Sequence, residues 1–262
     1  MAMVLGNNRR QLIVTADDFN LSEGVSRGII EAHRYGIVTE TSVLVNLGDL
    51  RRAWELLAAA PLLGVGLHLN LTRGRPLAPR SAVAKIIGKD GHFLGSPQAL
   101  PPLIEGASVR EEFQAQLETF LQAFGRLPLH LDTHHHIHQH PVVLESLLDL
   151  ATPLKLPVRG LDVHMRLAIR GRGLWTPQEF LGDVAEAPYW TVARLVAAIR
   201  ELRPGLTELM CHPGYFDDAI AYSRYGRQRE VERAALCDPT VTSAGQDMGV
   251  QLVTYAAVRE AV

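Results

Sequence analysis

Two cysteines in 262 residues, Cys211 and Cys237, are too few and too far apart for a disulfide framework. That usage fits a reducing cytoplasm. Charge of one sign is also scarce: 26 basic and 28 acidic side chains leave a net charge of -2, which argues against a nucleic-acid or polyanion partner. No apolar stretch approaches the roughly 20 residues of a membrane span. The segment Met1 to Arg10 lacks the apolar run of a secretory signal and reads as a flexible leader over residues 1–10. Although aromatic residues make up only 6%, the 47% hydrophobic content is enough for one large core. The expectation is a single soluble, cytoplasmic domain over residues 11–262, and the sequence leaves a homodimer open.

Histidine is abundant. Six of the eleven, His130, His134, His135, His136, His138 and His140, fall between residues 130 and 140. Imidazole is the commonest protein ligand for zinc-like metals and titrates near neutrality. A purification tag would be terminal and uninterrupted, whereas this cluster is internal and interleaved with Leu131, Asp132 and Ile137. A catalytic metal takes about three protein ligands and keeps a position open, so most of the six have other roles.

Along the chain, Gln11 to Ala16 reads as a buried strand that ends at Asp17-Asp18-Phe19-Asn20. Ser22 caps a helix to about Tyr35, stopped by Gly36. Thr41 to Val45 is a second strand, and Asp49 caps a helix from Leu50 to Ala60. Gly64 to Leu71 alternates with strand period and carries His68 on its polar face. A Gly- and Pro-rich excursion follows at about 72–107. Ser108 and Glu111 form a capping box for a helix that ends at Gly125. Pro128 to Thr133 is a strand delivering the histidines, and Pro141 starts another helix. Pro157 to Gly160 reads as a short strand before a second excursion at 161–190. Helices at Thr191 to Leu202 and Arg227 to Leu236 flank a strand at Thr207 to Cys211. Gly249 to Tyr255 is the last strand.

Strands alternating with helices argue for an α/β fold with a parallel sheet. No glycine-rich nucleotide loop follows any strand. Instead Asp17-Asp18, the end of the His68 strand, Asp132 to His136, and Cys211-His212 all occupy strand C-terminal ends. Those ends converge when strands close around a common axis, as in a TIM-like barrel. Two adjacent carboxylates in one site repel, so one is best stabilised by a cation while the other is free to accept a proton. Asp18 with two imidazoles would give a mixed oxygen and nitrogen metal site.

Ala16-Asp17-Asp18-Phe19, Gly64-Val65-Gly66-Leu67-His68-Leu69, His130 to His138, and Glu208-Leu209-Met210-Cys211-His212-Pro213-Gly214-Tyr215 resemble, in order, the four signature blocks of the YdjC family of carbohydrate deacetylases. The resemblance runs from about Leu12 to Tyr255. It implies a seven-stranded (β/α) barrel related to the polysaccharide deacetylases, acting on an N-acetylated amino sugar such as a chitooligosaccharide or glycolipid. It also implies one divalent metal ion (zinc, magnesium, manganese, cobalt or nickel) held by Asp18, His68 and His134. Asp17 is then the general base and His212 the general acid. That set meets the independent needs of amide hydrolysis: an activated water, a positive centre for the oxyanion and a proton for the leaving amine.

Around this set, Asp132 is expected to orient a ligand imidazole. His136 and His138 are expected to line the pocket, while His135 and His140 stay at the surface. Trp175, Tyr189 and Trp190 could stack on sugar rings or form a packed lid. The sequence departs from the family at Asn20, where glycine is usual; Asn tolerates a left-handed backbone better than most residues. The alternatives are another metal-dependent amide or phosphoester hydrolase on a similar barrel, and a metal- or carbohydrate-binding protein without catalysis. The first commonly shows His-x-His after its first strand, and loss of catalysis should remove the base or the acid; both are present.

Overall fold

The computed structural model describes residues 9–101, 104–182, 190–223 and 225–259; residues 1–8 of the expected leader and Tyr189 lie outside them. The described residues form seven strands: β1 (Arg10–Phe19), β2 (Glu40–Val43), β3 (Gly64–Leu69), β4 (Leu131–Thr133), β5 (Glu179–Leu181), β6 (Gly205–Cys211) and β7 (Val250–Leu252). All pair in parallel, in the order β4-β3-β2-β1-β6-β5, with β7 beside the first residues of β1. Leu12, Ile13, Val14 and Ala16 are buried along β1, and a run apolar on both faces is what a central parallel strand requires. The sheet curls into a partly open barrel.

Around it lie α1 (Glu23–Tyr35), α2 (Leu50–Ala58), α3 (Gly106–Phe124), α4 (Pro141–Ala151), α5 (Val163–Gly171), α6 (Val192–Glu201), α7 (Gln228–Leu236), α8 (Pro239–Asp247) and α9 (Tyr255–Arg259). Ser22 caps α1 by accepting from the Val25 N–H at 3.1 Å, as expected.

Several boundaries differ from the sequence expectation. The capping box at Ser108 does not form, because α3 already starts at Gly106 and Ser108 is buried in its first turn. The expected strand at 157–160 contributes a single bridge, Leu131 to Val158. The Val158 N–H then donates to the Trp175 carbonyl at 3.0 Å, so this segment fills the seam between β4 and β5 without a full ladder. The fifth strand lies inside the second excursion, together with α5. The final strand is shorter, and its expected end at Tyr255 starts α9. In the first excursion, Val83, Ile86 and Phe93 reach the core, and Glu112 of α3 accepts from the Leu77 and Ala78 N–H groups.

The decisive local feature is at the end of β1. The strand continues through Asp17 and Asp18, and its register against β2 slips between Ala16 and Phe19. Asp18 has φ 73°. Consecutive strand residues normally face opposite sides; the bulge breaks that alternation, and both carboxylates are buried. Asn20 also has φ 73°. Its N–H donates to Ser26 Oγ at 2.9 Å, and its side-chain amide donates to the Leu44 carbonyl at 3.0 Å and to the Leu47 carbonyl. The asparagine therefore keeps the left-handed turn and ties it to the loop after β2.

Asn20→Ala should lose both amide bonds and strain the left-handed backbone, costing about 2–3 kcal/mol. Asn20→Gly should lose only the bonds, costing about 1–2 kcal/mol. Denaturant midpoints check this, and equal losses would contradict it.

Candidate active site

Asp18 from β1, His68 from β3 and His134 just after β4 meet inside the barrel. Asp18 Oδ1 lies 2.9 Å from His134 Nδ1 and 3.4 Å from His68 Nε2. All three are buried, and one ligand atom from each falls within a 4.8 Å cluster. His68 Nδ1 lies 2.8 Å from Asp132 Oδ1, with Ser42 Oγ at 3.0 Å. A carboxylate on Nδ1 holds that proton and turns the Nε2 lone pair toward Asp18. Asp18 Oδ1 and His68 Nε2 are buried without a hydrogen-bond partner, which a cation between them would resolve.

The charge points the same way. Four carboxylates, Asp17, Asp18, Asp132 and Glu208, are buried here with two guanidiniums, Arg159 and Arg229, a surplus of acidic groups that favours a cation. Burial disfavours a charged His68, yet the Asp132 and Asp17 carboxylates outweigh it and raise the imidazole to about 10; the carboxylates that favour a proton on this ring would equally favour a metal ion in the proton's place at Nε2. Burial likewise opposes ionisation of Asp18, but His134 and Arg229 hold its carboxyl well below the usual range. The residues fit a divalent metal ion.

Asp17 faces Arg159, whose side chain is fully buried. Arg159 Nη1 and Nη2 donate to the two Asp17 oxygens at 2.7 and 2.8 Å. Nη1 also pairs with Asp132 Oδ2 at 2.9 Å, and Nε and Nη2 donate to Glu208 Oε1 at 3.0 and 2.9 Å. Thr15 Oγ1 and Tyr255 Oη each donate to Glu208 at 2.8 Å. One guanidinium therefore holds Asp17 in a fixed, bidentate orientation.

His212 follows β6. Its backbone N–H donates to Glu232 Oε2 at 2.5 Å, and its ring lies edge-on to Tyr225 at 5.2 Å. Glu232, from α7, also accepts from the Trp190 N–H at 2.9 Å and from the Tyr225 hydroxyl. Burial lowers the His212 pKa against the pull of Asp18. Arg229, also from α7, donates through Nη2 to Asp18 Oδ2 at 2.5 Å.

The remaining predicted residues divide. Asp132 touches His68 and Arg159. His136 packs edge-on to Phe180 at 5.7 Å and is half-buried beside Arg159. His138 is fully buried: Thr133 Oγ1 lies 2.5 Å from its Nδ1, which makes it part of the packing beneath the turn and corrects the expectation that it lines the pocket. His135 stacks on His134 at 3.9 Å and keeps an exposed position, while His140 caps α4. Trp175 is not brought to the site. It packs edge-on to Tyr255 at 5.7 Å, in the cluster with Ile13, Leu206 and Val253, among residues that precede the catalytic strand ends. Trp190 is tied down by its indole N–H to the Met210 carbonyl at 2.8 Å.

The family described as YdjC-like protein matches residues 11–247. The chain belongs to the YdjC family. It is 38% identical over 248 residues to a carbohydrate deacetylase of Geobacillus stearothermophilus, covering 94% of this chain and 97% of the relative. It is 33% identical over 253 residues to a chitooligosaccharide deacetylase of Yersinia pestis, covering 93% and 97%. An Enterococcus faecalis protein, described in terms of cellobiose-phosphate cleavage, superposes with a TM-score of 0.86 at 28% identity, covering 95% of this chain and 99% of that one. A family 4 carbohydrate esterase from Streptomyces lividans shares the fold at a TM-score of 0.53 and 13% identity.

In this YdjC-family chain the sequence reading passed over Ser42, Arg159, Glu208, Arg229 and Glu232. Arg159 carried a faint signal, a lone charge at the end of the strand-like Pro157-Val158 pair. Arg229 and Glu232 sit on an amphipathic helix among Arg227, Glu230 and Arg233, where nothing in the pattern separates a buried charge from a solvated one.

Burial, reinforced by His136 and Arg159, depresses His138 to about 3, whereas an unfolded histidine titrates near 6.5. Between those values the unfolded chain binds the extra proton, so stability falls as pH drops below about 6.5, by up to about 1.4 kcal/mol per pH unit from this one group. His138→Asn should make the acid limb of a stability-against-pH curve shallower by that amount; an unchanged slope would contradict the buried, neutral state.

Proposed function

We propose that this YdjC-family chain is a metal-dependent carbohydrate deacetylase that hydrolyses the N-acetyl group of an amino sugar and releases acetate. The substrate class is a chitooligosaccharide, an N-acetylglucosamine-containing glycolipid or a related glycoside. A cytoplasmic location belongs to the same proposal and is supported by the two free cysteines. The observation that carries the reading is the juxtaposition of the Asp18, His68 and His134 cluster with a separate carboxylate, Asp17, locked by Arg159.

Asp18, His68 and His134 would hold the ion, be it zinc, magnesium, manganese, cobalt or nickel. When bound, such an ion supplies Lewis-acid polarisation to water and to the amide carbonyl. The protein's own groups move the protons. Asp17, oriented by Arg159, accepts the proton of the attacking water. His212 approaches from the β6 side and gives a proton to the leaving nitrogen; burial weakens its hold on that proton. The amine then departs, and acetate keeps the water's oxygen. Glu232 fixes the His212 backbone, so the acid stays aligned while the substrate exchanges.

Asp17→Asn keeps the size and an oxygen for Arg159 but removes the base. Acetate release should fall by about 10²-fold or more while the bound metal content is retained. Retained turnover would assign the base elsewhere. Phosphate release in place of acetate release, across matched substrates, would favour the phosphoester alternative.

A further inference from the structure

The sheet order dictates what a contact between the loop after β3 and the loop after β6 must do. β2 and β1 stand between those strands, so the contact passes over their C-terminal ends, where Asp17 and Asp18 lie. Arg73 and Tyr222 make such a contact: Arg73 Cζ lies 3.3 Å from the centroid of the Tyr222 ring.

Both partners are held. The Arg73 N–H donates to Asn70 Oδ1 at 3.0 Å, and its carbonyl accepts from the Asn70 and Asn46 amides at 2.8 and 2.9 Å. These bonds tie it to the loops after β3 and β2. Tyr222 follows a short 3-10 turn anchored by the fully buried Ile220. The guanidinium covers one face of the ring, and Tyr222 remains 52% exposed. Burial raises the phenol pKa, and Asp18 and Arg229 are among the charges acting on it, which places the ring within electrostatic reach of the metal-ligand cluster. Among the described residues, the other aromatic candidates are committed elsewhere, Trp175 to the cluster around Tyr255 and Trp190 to the Met210 carbonyl.

Resting on the deacetylase reading above, we propose that Tyr222, braced by Arg73, is a stacking platform for the sugar ring next to the one that is deacetylated. The apolar C–H face of a pyranose suits a flat aromatic ring. A ring already fixed by a cation on its far side loses little freedom when a sugar lands on it. The protein therefore favours chains of amino sugars over the single ring.

The test compares kcat/KM for acetate release from N-acetylglucosamine and from its β-1,4-linked dimer, using metal-loaded wild type, Tyr222→Ala and Tyr222→Phe. The wild type should prefer the dimer. Tyr222→Ala should lower the dimer-to-monomer ratio by about tenfold, the scale of one lost stacking face, and Tyr222→Phe should keep the wild-type ratio. A wild type that releases acetate but treats both substrates alike, or a Tyr222→Ala variant with an unchanged ratio, overturns the platform alone. A wild type that releases acetate from neither overturns the platform and removes the free sugar and its chains from the substrate class, whereas a further absence of acetate release from every glycolipid and related glycoside overturns the deacetylase reading itself.

Discussion

Arg159 donates to Asp17, Asp132 and Glu208 from inside the barrel, and without it three carboxylates from three strands would face one another where water is excluded. The guanidinium is planar, permanently charged and able to bind two oxygens of one carboxylate at once. It can therefore fix the orientation of Asp17 and still leave an edge for Glu208. Removing a partner from a buried network of this kind costs about 3–5 kcal/mol, because it strands the remaining charge. The same interaction separates two tasks. In the proposed reaction Asp17, oriented by Arg159, would take the proton while Asp18, His68 and His134 would hold the cation.

The fold supports that division layer by layer. Glu208 is secured beneath Arg159 by Thr15 and Tyr255. His130, at the same buried level, stacks on Tyr255 at 4.2 Å and is raised to about 9, burial being outweighed by Asp132 and Glu40. Above this floor, the bulge in β1 turns two consecutive aspartates inward. The histidine-rich turn then reaches across from β4 with His135 and His136 at positive φ, which is what frees His134 to meet Asp18. A plain strand would have alternated these side chains and split the site.

Much of this was legible in the sequence, and the exceptions have physical causes. Alternation and capping residues revealed β3 and α1, and the four polar blocks at strand ends predicted which segments meet. The bulge was not legible, because a strand running into Asp-Asp reads the same whether it ends or bends. β5 was hidden in the second excursion, since three residues paired only at a sheet edge leave no periodicity. Trp175 was misplaced because its chemistry suits a sugar as well as it suits Tyr255. Arg159, Arg229 and Glu232 escaped because buried charges acquire their meaning only from partners distant in sequence. Asn20 went the other way: its tolerance of a left-handed backbone was argued from chemistry, and the turn adopts it.

In the proposed reaction one divalent ion is held by Asp18, His68 and His134, whose ligand atoms the fold brings together. Elemental analysis after equilibrium dialysis against a divalent metal tests it most directly, comparing the wild type with His68→Ala and His134→Ala. The account predicts about one ion per wild-type chain and a loss of bound metal in both folded variants. Equal metal content in all three proteins would contradict it.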